Sequence, residues 1–261
     1  MLSSAQLNDF HTHGFLILRR AADAAFCQSV IAYAEHELEQ AHGPLELEVD
    51  TAYPGAPSAV DAAGGHTVRR LLQAYARAPM LQQWADTALA GPLQQLLGPG
   101  VMLSQAHHNC IMTKQPRYSS LTGWHRDSRY WHFARAELVS TWLALRDETL
   151  ENGCLSVIPG SQRWELSAEQ TDSAQFLRSD FAGNQSLLAQ AHTVPLQQGD
   201  ALLFHSNLFH AAGRNQTAAT KFSLVFTYRA PDNFPVAGSR SASLPEIPLF
   251  EKAGIVGGPT A

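Results

Sequence analysis

Gly199-Asp200-Ala201-Leu202-Leu203-Phe204-His205-Ser206-Asn207-Leu208-Phe209-His210 begins with a turn signal, runs through apolar residues and ends on a histidine. Gly-Asp is turn chemistry, and the apolar run behind it suits a short buried strand. A polar residue at the far end of such a strand faces the mouth of a barrel or sandwich.

The same texture spreads in both directions. Val101–Thr113, Leu138–Leu145, Cys154–Ile158, Thr193–Leu196, Ala201–Phe204 and Phe222–Tyr228 are short apolar or alternating runs. Turn signals such as Glu151-Asn152-Gly153 and Gln198-Gly199-Asp200 separate them. Many short strands with turn punctuation predict a double-sheet jelly roll or barrel.

The first hundred residues read differently. Ser3 and Ser4 can cap a helix over Ala5–His13, which Gly14 stops, and Phe15–Leu18 follows as a short strand. Asp23 caps a second helix from Ala24 to about Gln40, with Phe26, Val30, Tyr33 and Ala34 on one face. Thr67–Ala76 and Met80–Leu97 also read as helices. The Pro-, Gly- and Ala-rich stretch Tyr53–Gly65, between the second helix and these two, has the composition of a lid loop. Helices first and strands second give an α+β class. The expected organisation is one domain over residues 1–261: a helical part (1–100), a β core (101–230) and a Pro- and Ser-rich tail (231–261).

Bulk properties narrow the function. Hydrophobic residues make up 45% and charged residues 16% of the 261 residues, an ordinary globular balance. With a net charge of −5 and no basic block longer than Arg19-Arg20 or Arg69-Arg70, a nucleic-acid or anionic-membrane partner is not expected. Cys27, Cys110 and Cys154 form no Cys-x-x-Cys pair, so buried thiols in a reducing cytoplasm are the default. No signal peptide or spanning segment is evident. The expectation is a cytoplasmic monomer or homodimer acting on a small molecule. Serine-hydrolase, Walker and dinucleotide-binding signatures are missing.

His125-Arg126-Asp127 is the motif that carries chemistry. On an extended segment, residues i and i+2 point to the same side, so an imidazole and a carboxylate can grip one ion. A distant histidine completes three ligands on one octahedral face and leaves three positions open, the facial triad of non-haem Fe(II) enzymes. A lone His-x-Asp is weak evidence, and among 12 histidines a third ligand is easily found. The placement of His210 behind the turn-and-strand stretch adds the context.

Thr149-Leu150-Glu151-Asn152-Gly153-Cys154-Leu155-Ser156-Val157-Ile158-Pro159-Gly160-Ser161 lies after that motif and before Gly199-Asp200, His205 and His210. In this order and spacing the chain resembles the phytanoyl-CoA dioxygenase family, well over about residues 100–230 and more loosely over Leu7–Arg19. The resemblance implies a double-stranded β-helix, a cupin-like jelly roll, with the N-terminal helices packed on one sheet. It also implies Fe(II), 2-oxoglutarate and O2, with hydroxylation of an unactivated C–H and release of succinate and CO2.

Carried over by position, His125, Asp127 and His210 are the iron ligands. The family usually has an arginine eleven residues after the distal histidine to bind the far carboxylate of 2-oxoglutarate. Here that residue is Lys221, which supplies charge without a bidentate fork. The hydroxyl often found two residues after that histidine is replaced by Ala212. Arg214 and Arg229 are alternative anchors, although strand alternation favours Lys221. Trp142 and His108 match positions that line the cosubstrate pocket in relatives, with Trp142 equally readable as a core aromatic. His107 and His108 adjoin on a predicted strand, so one points inward, and His205 reads as structural. Arg129 and Tyr130 are candidate substrate contacts, and Arg69 or Arg70 can approach from the helical region. Asp127 disfavours halogenation, because related halogenases lack this carboxylate. Two other readings stay open: a cupin-like metal isomerase or dioxygenase that ignores 2-oxoglutarate, and a non-catalytic metal-binding protein.

Overall fold

The computed structural model of the protein describes residues 1–51 and 53–249. Ser3 caps α1 (Ser4–His13) through a reciprocal box with Gln6, and Gly14, at φ 82°, ends the helix in the left-handed region. β1 (Phe15–Leu18) leads to α2 (Ala24–Gln40), whose Asp23 cap accepts from the Phe26 amide. β2 (Leu45–Leu47) and β3 (Val68–Leu72) come next, then α3 (Ala74–Arg77), α4 (Pro79–Gln83) and α5 (Ala90–Leu97). The strand-rich half contains β4 (Val101–Leu103), β5 (Asn109–Lys114), β6 (Thr122–His125), β7 (Leu138–Ala144) and β8 (Leu155–Val157). A short helix, α6 (Gln185–Leu188), precedes β9 (His192–Thr193), β10 (Ala201–His205), β11 (His210–Ala212), β12 (Lys221–Arg229) and β13 (Ile247–Leu249).

The strands form two sheets. The larger, of nine strands, runs β1-β10-β7-β12-β5-β3-β2, with β4 joined to β12 and β13. The smaller, of four, runs β6-β11-β8-β9. Period-two alternation decides what each face buries. From β7, β10 and β12, Trp142, Leu202, Phe204 and Val225 point inward, where they pack with Leu155, Val157 and Leu208 between the sheets. Their neighbours Leu143, Leu203, Leu224 and Phe226 point outward into a second cluster with Val30, Ile31 and Leu93 of the helices. This is the expected jelly roll with helices on one sheet. Burying each such Leu or Phe contributes about 1.5–3 kcal/mol.

Four expectations about elements need correction. Val68–Leu72, read as part of a helix, is β3, paired with β2 and β5. Val68, Arg69 and Leu71 are buried within it, so tertiary pairing overrides the helix-forming composition. Met80–Leu97 is not continuous: a π-helical turn over Trp84–Ala88 separates α4 from α5. Val101–Thr113 is two strands, β4 and β5, with a turn at Gln105–Ala106 between them. The quoted stretch Gly199–His210 spans both sheets, since β10 ends at His205 and His210 opens β11 on the opposite sheet. Of the expected tail, β13 pairs with β4, and residues 250–261 lie outside the described residues.

Candidate metal centre and flanking cavities

His125 and His210 are direct partners across the antiparallel β6–β11 ladder, and their ring centroids lie 4.2 Å apart. Arg126 is extended (φ −107°, ψ 140°), so Asp127, at the start of a 3-10 turn, falls on the same side as His125. One ligand atom from each of His125, Asp127 and His210 lies within 4.8 Å of the others. Asp127 Oδ1 is 3.8 Å from His125 Nε2 and 3.6 Å from His210 Nε2.

The donor set fits a divalent ion. Nδ1 of His125 bonds the Gly123 carbonyl at 2.9 Å, and Nδ1 of His210 bonds the Leu208 carbonyl at 3.0 Å. Each bond assigns the ring proton to Nδ1 and leaves the Nε2 lone pair free for metal. Burial, and then the neighbouring His210, push the His125 imidazole well below its ordinary pKa and keep it neutral. Asp127 Oδ2 is buried and has no hydrogen-bond partner among the described residues. An ion would satisfy that oxygen.

Two cavities meet at the triad. The narrower, about 40 Å³, is lined by His125, His210, Trp142, Ala212, Lys114 and Lys221, among others. The wider, about 260 Å³, is lined by His125 and Asp127 together with His108, Tyr53, Tyr130 and Trp131, among others. Glu46, Asp50, Arg70 and Arg240 give its wall charges of both signs.

His108 lines both cavities, with Nε2 3.6 Å from Asp127 Oδ1. It sits just before β5 rather than within a strand, so His107 reaches the wider cavity too and contacts Ser241 Oγ at 2.7 Å. Trp142 lines the narrower cavity and donates from Nε1 to Glu148 at 2.8 Å. Tyr130 lines the wider cavity and meets the Tyr53 hydroxyl at 2.8 Å. Arg129 is absent from both linings. Its guanidinium stacks 3.6 Å from the Phe176 ring centroid and donates to the Ala174 carbonyl at 2.6 Å.

Lys221 lines the narrower cavity, as strand alternation predicts, but its ammonium lies 3.0 Å from Glu148 Oε2. The alternative anchors point elsewhere. Arg214 donates to the carbonyls of Ser119 and Arg117, and Arg229 pairs with Glu246. Arg69 lines both cavities and is buried against Glu48, Ser120 and Thr122. His205 accepts from the Asn207 amide and lines neither cavity. Sequence reading missed Glu148 and Lys114. A lysine closing the strand that carries Cys110, Ile111 and Met112 was the available sign for Lys114; nothing local marked Glu148.

A jelly roll with two histidines and a carboxylate facing paired cavities defines a mononuclear non-haem iron oxygenase. The chain belongs to the phytanoyl-CoA dioxygenase family, whose model matches residues 10–223. Membership places it among the Fe(II)- and 2-oxoglutarate-dependent dioxygenases. It is 26% identical to ectoine dioxygenase of Sphingopyxis alaskensis, over 89% of this chain and 77% of that one. With L-proline trans-4-hydroxylase of Streptomyces griseoviridis identity is 28%, over 57% of this chain and 62% of the relative. The crystal structure of EctD from S. alaskensis with bound Fe superposes with a TM-score of 0.73 at 22% identity, covering 90% of this chain and 79% of that one. No helix among the described residues is long and apolar enough to cross a membrane, and all three cysteines are free and buried.

Proposed function

We propose that His125, Asp127 and His210 hold Fe(II), and that the chain hydroxylates an unactivated C–H bond of a small or medium-sized polar organic molecule. 2-Oxoglutarate and O2 are consumed, and succinate and CO2 are released. The observation that carries this reading is the convergence of three ligand atoms, one carboxylate oxygen still unpartnered, where the two cavities meet. The bound metal supplies the oxidising chemistry. The protein holds the ligands, orients the target carbon and shields the centre from water.

The narrower cavity suits the slender keto acid, with Trp142 and His108 beside it. The wider cavity suits the substrate. Its charges of both signs and its three aromatic rings favour a polar molecule with some apolar surface over a lipid chain. Tyr130 is the proposed substrate contact from the sequence motif, and Arg129 acts by bracing that wall. Hydroxylation is favoured because the similar curated proteins are named as a dioxygenase and a hydroxylase. Strands from the first hundred residues complete the large sheet, so the described chain acts as one catalytic unit.

A panel of polar small molecules tests the reading through stimulated succinate release. The productive compound should also gain one oxygen atom, read by mass. A product oxidised without added oxygen would move the outcome away from hydroxylation. Metal binding with no succinate from any compound would favour the non-catalytic reading.

A further inference from the structure

Lys114 and Lys221 are direct cross-strand partners on β5 and β12, and both side chains enter the narrower cavity. Two buried ammonium groups side by side are costly unless each finds a counter-charge. Lys221 has one in Glu148. Lys114 does not: among the described residues no carboxylate lies within 4.0 Å of its Nζ, which donates only to the Ser120 carbonyl at 2.8 Å.

The surrounding charges sharpen the contrast. Arg69 is shared between Glu48 and Glu46, both at 3.3 Å, and Arg70 also pairs with Glu46. Four cations (Arg69, Arg70, Lys114, Lys221) therefore face three carboxylates (Glu46, Glu48, Glu148), leaving one positive charge over. 2-Oxoglutarate is a dianion. A divalent ion already bound to Asp127 carries one net positive charge, which the chelating carboxylate of the keto acid cancels. One carboxylate remains to meet the one unpaired cation.

We propose that Lys114, rather than Lys221, provides the charge that binds the distal carboxylate of 2-oxoglutarate, while Lys221 serves as counter-ion to Glu148. This rests on the reading of the site as a 2-oxoglutarate oxygenase. It accounts for the missing arginine at position 221: the function has moved one strand across the sheet. The unpaired lysine is also held ready by burial, which together with Arg69 and Lys221 pushes its pKa down to about 7, and an arriving anion relieves that cost.

The test is an anaerobic titration of the Fe(II)-loaded protein, following the visible charge-transfer band formed when a keto acid chelates the metal. Two probes are used: 2-oxoglutarate, and 2-oxobutyrate, which has the chelating end without the distal carboxylate. The wild type should prefer 2-oxoglutarate by about 10- to 100-fold, the worth of a buried charge-assisted hydrogen bond. Lys114→Met should lose most of that preference while binding 2-oxobutyrate as before, and Lys114→Arg should keep it. Adding Glu148→Gln to Lys114→Met frees Lys221 and should restore the preference, a rescue that a merely structural lysine would not show. An unchanged preference in Lys114→Met would overturn the assignment and return the anchor to Lys221. No band in the wild type with either acid would instead overturn the oxygenase reading, and the proposal with it.

Discussion

Glu148 ties together two residues that line the narrower cavity, Lys221 and Trp142: its Oε2 meets the Lys221 ammonium at 3.0 Å, and neither Glu148 nor Lys221 is more than 3% exposed. Its other oxygen accepts from Trp142 Nε1 at 2.8 Å and from Ser223 Oγ at 2.6 Å. The lysine at the expected anchor position is therefore already paired.

Deleting that carboxylate charge strands Lys221. Glu148→Gln should destabilise the protein by about 3–5 kcal/mol, the usual cost of leaving half of a buried pair. Urea unfolding without and with 2-oxoglutarate checks this: part of the loss should return when the keto acid is present. A variant as stable as the wild type in both conditions would mean that the pair carries little energy.

Lys114 should make cosubstrate binding sensitive to pH. In the empty site it sheds its proton as pH rises through about 7, with burial first and then Arg69 and Lys221 opposing its charge and Glu48 and Glu148 favouring it. A bound carboxylate holds the proton, so affinity should fall above that point, by up to ~10-fold per pH unit, and Lys114→Met should remove the slope. Stability of the empty protein runs the other way. The unfolded chain keeps this proton up to the ordinary value of 10.5, so it binds more protons than the fold between about 7 and 10.5, and this group makes stability rise with pH there. Keto-acid titrations at several pH values, and unfolding of the two proteins over the same range, check both signs.

The Asn152-Gly153 turn reaches the same lysine. Gly153 has φ +77°, and a Cβ there would stand 2.5 Å from the Gly213 carbonyl oxygen and 3.1 Å from Lys114 Cδ. Gly153→Ala should cost about 1–3 kcal/mol through backbone strain and contact. It should also weaken 2-oxoglutarate binding, measured by the same titration, more than it weakens 2-oxobutyrate. Equal weakening of both acids would separate the turn from Lys114.

What the sequence revealed and what it hid follow from the range of the interactions. Ser3, Gly14 and Asp23 act within a few residues, so α1 and α2 were legible almost to their ends. The alternation in β7, β10 and β12 was legible because one side of each strand faces the helices and the other the second sheet. Val68–Leu72 was not, because Arg69-Arg70-Leu71-Leu72 runs into Ala74-Tyr75-Ala76 and only pairing with β2 and β5 makes it a strand. His125 and Asp127 stand two residues apart, a spacing that is weak evidence alone and gains weight only beside the turn-and-strand context of His210. The Lys221–Glu148 pair joins residues 73 apart in sequence, and nothing in either segment encodes it.

Removing any one of the three proposed ligands should separate chemistry from folding. His125→Ala, Asp127→Ala and His210→Ala should each abolish succinate formation while leaving the circular dichroism spectrum close to that of the wild type. Each should also lose the rise in melting temperature that added Fe(II) gives the wild type, because an ion that binds only the folded state stabilises it by mass action. Near-normal turnover in His210→Ala would point to another distal ligand, and His108, 3.6 Å from Asp127 Oδ1, would be the first candidate.

The most direct measurement is an iron-edge anomalous difference map from crystals grown anaerobically with Fe(II). The account predicts one strong peak within bonding distance of His125 Nε2, an Asp127 carboxylate oxygen and His210 Nε2, with the remaining coordination positions facing the two cavities. A peak that leaves out any of these three side chains, or no ordered iron between them, would contradict it.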